Sequence, residues 1–314
     1  MHADTRNAWY LFFFFAVVYL LLQGTKPGYT VDANATFRLT AELVHNGTIS
    51  REVRAKQGIF QAISFVPFYV IGDSFARSHP DENPNEIRRR ALCWMNGLLS
   101  AITCAVLYLL CREFGAGICP SRNVVLAAGL STMMLPYARY DYNKVPAALL
   151  LCLLLFSTLR ICRYGKTRDL FLFGLWAGLL AGIRIELLIV LPGLVAFIVY
   201  RRRNDLVVSK ILPGIAVAFG LIAFVFWYQW SRWRGISGYE GGFNYLPITG
   251  LYGFFFSLGK SMFLYNPILV LFPVALWKYR KFDFATLWML TVVPGVLLYS
   301  WWSNWWGGWA WGPR

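Results

Sequence analysis

Charge is scarce in this chain. Of 314 residues only 14% are Asp, Glu, Lys or Arg, just 15 of them acidic, and three are histidines, while 58% are hydrophobic. Apolar runs recur along the whole length, so a soluble globule is excluded and a polytopic membrane protein is implied. The six cysteines, at 93, 104, 111, 119, 152 and 162, form no CxxC or zinc spacing, so they read as small apolar residues, with no disulfide and no metal cluster expected. No Ala-x-Ala site follows the first apolar run, Trp9 to Gln23, and Gln23-Gly24-Thr25-Lys26-Pro27 reads as a helix exit rather than the end of a secretory signal. The second half shows no repeat of the first.

What is present is a series of runs of membrane length. About 20 apolar residues cross a bilayer core, which predicts about nine spans near 9–23, 91–111, 123–138, 145–162, 170–183, 185–200, 211–230, 265–278 and 284–302. The pair 170–183 and 185–200 must turn at Arg184 and Glu186. Arg112 and Arg122, then Arg160, Arg163, Lys166 and Arg168, then Arg201, Arg202, Arg203 and Lys210, then Lys278, Arg280 and Lys281 fall in every second connection. Those connections are assigned to the cytoplasm, with the N-terminus inside. Much of the net charge of +15 is then positive-inside asymmetry, and no nucleic-acid partner is needed.

Between the first run and about Arg90 the chain stays out of lipid. A long mixed-charge segment directly after a first helix is where a membrane protein builds a site for surface chemistry, which points to an enzyme rather than a simple channel. From Asp32 the spacing of Ala35, Phe37, Leu39, Leu43 and Val44 predicts an amphipathic helix ended by Asn46-Gly47. Gly58 to Gly72, about 15 residues and interrupted by Pro67, is short for a span and predicts an interfacial or re-entrant helix.

These residues carry a resemblance. Asp32, Glu42 and Gly47 are followed by Lys56-Gln57-Gly58-Ile59-Phe60-Gln61-Ala62 and Pro67-Phe68-Tyr69-Val70-Ile71-Gly72. Next come Leu135-Pro136-Tyr137-Ala138-Arg139, Gly182-Ile183-Arg184, Gly250 to Lys260 and Tyr265-Asn266-Pro267, and last Trp305-Trp306-Gly307-Gly308-Trp309-Ala310-Trp311-Gly312-Pro313-Arg314. In that order they resemble the lipid-carrier-dependent glycosyltransferases of the C superfamily, in particular glycosyltransferase family 39, the protein O-mannosyltransferases and the aminoarabinose transferases.

The resemblance implies one all-α transmembrane domain over 1–314, with an outer catalytic loop at 24–90 and a helical membrane core at 91–314. It implies a polyprenyl-phosphate-linked sugar donor, a lipid, glycan or protein acceptor, surrounding membrane lipids, and no cofactor. Many members place an Asp-Glu pair where this chain has Asp32-Ala33, and relatives continue into more helices beyond the Gly-Pro-Arg end, so a longer natural protein is expected.

Transfer from a polyprenyl phosphate needs a base for the acceptor hydroxyl and positive charge for the leaving phosphate. By resemblance Asp32 is the base and Lys56 the phosphate contact, with Arg184, Lys260 and Arg314 as further cations on the same outer face. Glu42 and Asp141 are fallback acids, and Glu186 is expected to pair with Arg184. Each has a plainer role. Asp32 serves equally as an N-cap before Ala33 to Leu43, Lys56, Arg184 and Arg314 as lipid-headgroup anchors, and Glu42 with His45 as a solvated helix face.

The six tryptophans between Trp301 and Trp311 match an interfacial belt better than a sugar platform. Asn34-Ala-Thr36 and Asn46-Gly-Thr48 are sequons that also arise by chance. Ser257-Leu258-Gly259-Lys260-Ser261 ends like a nucleotide loop, but Phe254 stands where its first glycine belongs. The competing classes are a transporter or flippase of lipid-linked saccharides, against which the absent repeat counts, and a noncatalytic scaffold.

Overall fold

The computed structural model of the chain describes residues 2–23, 31–48, 58–203, 207–233, 243, 246–271, 273–274, 277 and 282–303. Among these every regular element is helical. Thirteen α-helices are labelled here: α1 His2–Leu21, α2 Val31–Asn46, α3 Ile59–Ser78, α4 Pro84–Glu113, α5 Ile118–Ser131, α6 Met134–Tyr137, α7 Lys144–Tyr164, α8 Thr167–Ile183, α9 Leu191–Arg202, α10 Val208–Trp233, α11 Pro247–Phe256, α12 Met262–Tyr265 and α13 Phe282–Trp301. Two 3₁₀ segments, Ile185–Val190 and Pro267–Leu271, join them. Four stretches, Ile59–Ser78, Pro84–Glu113, Lys144–Tyr164 and Ser209–Ser231, are long and apolar enough to cross a membrane. The chain is a helical membrane protein.

Helix α4 is the hub, packed by α1, α3, α5 and α7, while α7 carries α8 and α8 carries α10. At 30 residues it is about 45 Å long, more than the roughly 30 Å of hydrocarbon, so part of it stands beyond the lipid. One end of the bundle gathers the basic connections. There Arg112 pairs with Asp4 at 2.6 Å, Arg163 with Glu113 at 2.8 Å, Arg160 with Asp169 at 3.1 Å and Arg201 with Asp283 at 2.7 Å. These pairs bring the described residues of the connections at 112–113, 160–169 and 201 and the start of α13 together at one end.

The opposite end joins segments far apart in sequence. A Cβ on Gly58 would meet the Gly182 carbonyl oxygen at 1.7 Å, and one on Gly182 would meet the Phe60 ring at 1.9 Å. Two of the motif stretches therefore touch through glycine, and the start of α3 lies on the end of α8. Gly58→Ala should push the backbones apart and lower stability by about 1–3 kcal/mol, the range for overpacking. Thermal unfolding of the detergent-purified protein checks this, and an unchanged midpoint contradicts it.

Three sequence expectations need correction. The run 123–138 is not one helix: α5 ends at Ser131, and Thr132 turns the chain, its hydroxyl bonding the Ala128 carbonyl and accepting from Met134 N at 3.2 Å. The run 265–278 is broken as well. Its described part is the end of α12 and the 3₁₀ turn Pro267–Leu271, with Asn266 as the stop, because Pro267 lacks the N–H a continuing helix would use. Finally, Gly58–Gly72 grows into the 20-residue α3, continuous through Pro67, which removes shortness as an objection to crossing.

Other expectations fit closely. Helix α2 ends at Asn46 with Gly47 at φ 61, and the turn between α8 and α9 falls at Arg184 and Glu186.

Candidate active site

The polar residues at this second end come from four elements. On α4, Arg89, Cys93, Asn96, Ser100 and Thr103 recur at i, i+4, i+7, i+11 and i+14, so they line one face, and all five are buried. A buried polar stripe on a membrane helix is costly unless it meets partners. At its outer end it does. The Arg89 guanidinium donates to Asn34 Oδ1 on α2, lies 4.4 Å from the centre of the Phe37 ring, and stands 3.8 Å from Asp141 Oδ2. Two turns inward, Asn96 Nδ2 donates to the carbonyls of Tyr140 at 2.5 Å and Tyr142 at 2.9 Å, holding the 139–143 connection against α4.

Asp141 is 1% exposed. Gln61 Nε2 of α3 donates to its backbone carbonyl at 3.3 Å. Among the described residues neither carboxylate oxygen has a hydrogen-bond partner, and the same holds for Gln61 Oε1 and Asn96 Oδ1. Burial pushes the Asp141 carboxyl up to about 6, although the nearby Arg89 charge opposes this. A carboxyl buried beside a cation, with its protonation shifted by that burial, is a candidate functional acid.

The sign of the linked stability follows. Between the ordinary value of 3.8 and about 6 the folded chain holds a proton that the unfolded chain does not, so stability is full below that window and falls as pH rises through it. Unfolding midpoints measured from pH 4 to pH 7 should decline for the wild type and decline less for Asp141→Asn. Parallel curves contradict the assignment.

Each sequence-predicted residue takes its place against this centre. Asp32 stands second in α2, not before it, because the helix starts at Val31; the N-cap reading is corrected accordingly. It lies two residues before Asn34, the residue that binds Arg89. Lys56 and Arg314 lie outside the described residues, as do the tryptophans from Trp305 onward. Glu42 sits on α2, and its neighbour His45 meets the Tyr69 hydroxyl at 3.3 Å.

Arg184 is held by Glu186, with Nη2 to Oε1 at 2.6 Å, and by the Tyr299 hydroxyl at 2.9 Å. The expected ion pair is present and ties the α8–α9 turn to α13. Lys260 lies in the turn between α11 and α12. The Tyr265-Asn266-Pro267 stretch reaches the Leu135 stretch through Asn266 Oδ1, which accepts from Met133 N at 3.0 Å.

The sequence reading missed Arg89, Asn34, Gln61 and Asn96. The stripe on α4 was visible as a helical spacing of polar residues, but Asn34 had been noticed only as a sequon. Its side-chain oxygen is occupied by Arg89, and Thr36 is buried.

No curated protein and no solved structure is significantly similar to the chain. Residues 86–230, which carry Arg89, Asn96, Asp141 and Arg184, match the family model described as dolichyl-phosphate-mannose-protein mannosyltransferase. That stretch is thus similar to the lipid-carrier-dependent glycosyltransferases, the family that the motif order resembles.

Proposed function

We propose that the chain transfers a sugar from a polyprenyl phosphate to an acceptor hydroxyl on the outer face of the cytoplasmic membrane, by an inverting displacement with a carboxylate base. The acceptor oxygen bonds to the anomeric carbon as its proton passes to the base. The bond from that carbon to the phosphate oxygen breaks on the opposite side, and the electron pair leaves with the phosphate. Asp32 is the base in this reading. Lys56, Arg184, Lys260 and Arg314 supply positive charge for the phosphate, Arg184 while still paired with Glu186.

The observation that carries the reading is the buried Arg89–Asp141 pair. It lies inside the stretch that matches the family and receives, through Asn34, the helix whose first turn carries Asp32. Asp141 is the second acid of the site, with Arg89 setting the place of both elements. In this reading helix α3 lies at the interface without crossing, which its packing on α2, the first turns of α4 and the end of α8 supports (Gly72 on Arg88, Tyr69 with Leu92 and Met95, Gly58 on Gly182), while Phe60 at its start stacks on Phe224 of α10.

Incubating membranes with a panel of labelled polyprenyl-phosphate sugars tests the activity, with release of polyprenyl phosphate from at least one donor expected and silence across the panel contradicting it. Cysteines at Ser50 and Asn204 test the face. Labelling of the first from outside and the second only from inside is expected, and equal labelling from the cytoplasmic side overturns the shared face.

A further inference from the structure

One turn inward from Asn96 the polar stripe of α4 opens into a cavity of about 220 Å³ lined by Ser100, Thr103, Thr132, Met133, Met134, Tyr137, Lys144, Val145 and Ala148. Its walls are chiefly apolar, and its polar groups are few and specific. Thr103 and Thr132 turn their hydroxyls to carbonyls on their own helices, Leu99 and Ala128. Ser100 does not: it is 1% exposed, and among the described residues its Oγ has no hydrogen-bond partner. Lys144, in the first turn of α7, lies 4.4 Å from the centre of the Tyr137 ring and donates to the Tyr137 hydroxyl.

A primary amine with three donors, an unsatisfied buried hydroxyl and a pliable apolar wall with two methionines together suit an amphiphile with an anionic head. Phosphate oxygens take charge-assisted bonds from Lys, and methionine adapts to irregular chains. Charge inside a membrane protein generally marks a functional contact. The neighbourhood agrees: Asp141 precedes Lys144 by three residues, and Asn96 precedes Ser100 by one helical turn on the same face of α4.

We propose that this cavity holds the phosphate end of the lipid carrier. Lys144 Nζ and Ser100 Oγ take the phosphate oxygens, and the first isoprene units run past Met133, Met134 and Val145 towards the exposed Ala148. The proposal rests on the lipid-carrier reading above and adds to it a phosphate contact separate from Lys56, Arg184, Lys260 and Arg314. It also sets the sugar on the Asp141 side of the phosphate.

Binding of undecaprenyl phosphate to the purified full chain in phosphatidylcholine nanodiscs tests it. Lys144→Gln should weaken binding by roughly 10- to 100-fold, the factor for losing a hydrogen bond to a charged group, and Lys144→Arg should recover most of it. Ala148→Leu, which narrows the mouth with Lys144 intact, should weaken binding too and guards against a Lys144 variant that fails to fold. Neither inorganic phosphate nor phosphatidylglycerol should displace the probe.

If the wild type binds undecaprenyl phosphate and both Lys144→Gln and Ala148→Leu bind it equally well, the cavity is not the site, and the lipid-carrier reading survives. If phosphatidylglycerol displaces the probe as well as undecaprenyl phosphate itself does, the cavity is a general phospholipid site and the proposal falls. If the wild type does not bind undecaprenyl phosphate at all, both readings fall together.

Discussion

Replacing Asp32 by Asn should lower sugar transfer by about 100- to 10,000-fold, the range for a lost general base, with expression and donor binding close to wild type. The amide keeps the shape of the carboxylate and much of its hydrogen bonding, so only the loss of negative charge is being read. A structural role makes a different forecast. Asp32 stands in the first turn of α2, where a carboxylate also favours the helix through its dipole by some 0.3–1 kcal/mol. An Asn variant affected in that way alone is marginally less stable and fully active. Transfer at the wild-type rate by Asp32→Asn would move the base to Asp141 or Glu42.

Replacing Arg89 by Gln should cost about 3–5 kcal/mol of stability, the usual result of leaving one member of a buried ion pair alone. The guanidinium contacts Asp141, Asn34 and the Phe37 ring at once. Its loss frees the first turns of α2 from α4, and with them the approach of Asp32. Two readouts separate this from ordinary damage. Limited proteolysis should cut the α2 region faster in Arg89→Gln than in wild type while the α7–α8 core stays protected, and Arg89→Lys should restore stability only in part, since an ammonium cannot span three partners as a planar fork does. Equal protease resistance of α2 in wild type and Arg89→Gln would mean that Arg89 does not dock that helix.

Much of this architecture was legible from hydrophobic length alone. Helices α7, α8, α10 and α13 lie within about three residues of the runs that announced them, because a helix buried in lipid or protein leaves little choice of boundary, whereas α4 starts seven residues before its run, at Pro84, where its first turns are charged rather than apolar. The breaks were harder. Thr132 and Pro267 interrupt runs whose hydropathy continues unaltered, and a window that averages apolar character does not register a hydroxyl turning back on Ala128 or a missing N–H.

The site was legible in parts. Arg184 and Glu186 are two residues apart, so their pairing is local and could be read. Arg89 and Asp141 are separated by a helix hairpin, and only the packing of α3 and α4 against the 139–143 connection reveals that they meet. The polar stripe from Arg89 to Thr103 did leave a signal, a helical period of small and polar residues in an apolar background. Its meaning depended on which side of α4 faces the bundle, and that is a tertiary fact.

Transfer of a sugar from a polyprenyl phosphate would use a carboxylate at the Asp32 end of the bundle. The most direct measurement is single-turnover release of polyprenyl phosphate by the purified protein from the donor its membranes accept, for wild type, Asp32→Asn and Asp141→Asn side by side. Release by the wild type is expected, with a fall of about 100- to 10,000-fold for Asp32→Asn and a smaller fall for Asp141→Asn. Equal release by all three, or none by the wild type, would contradict it.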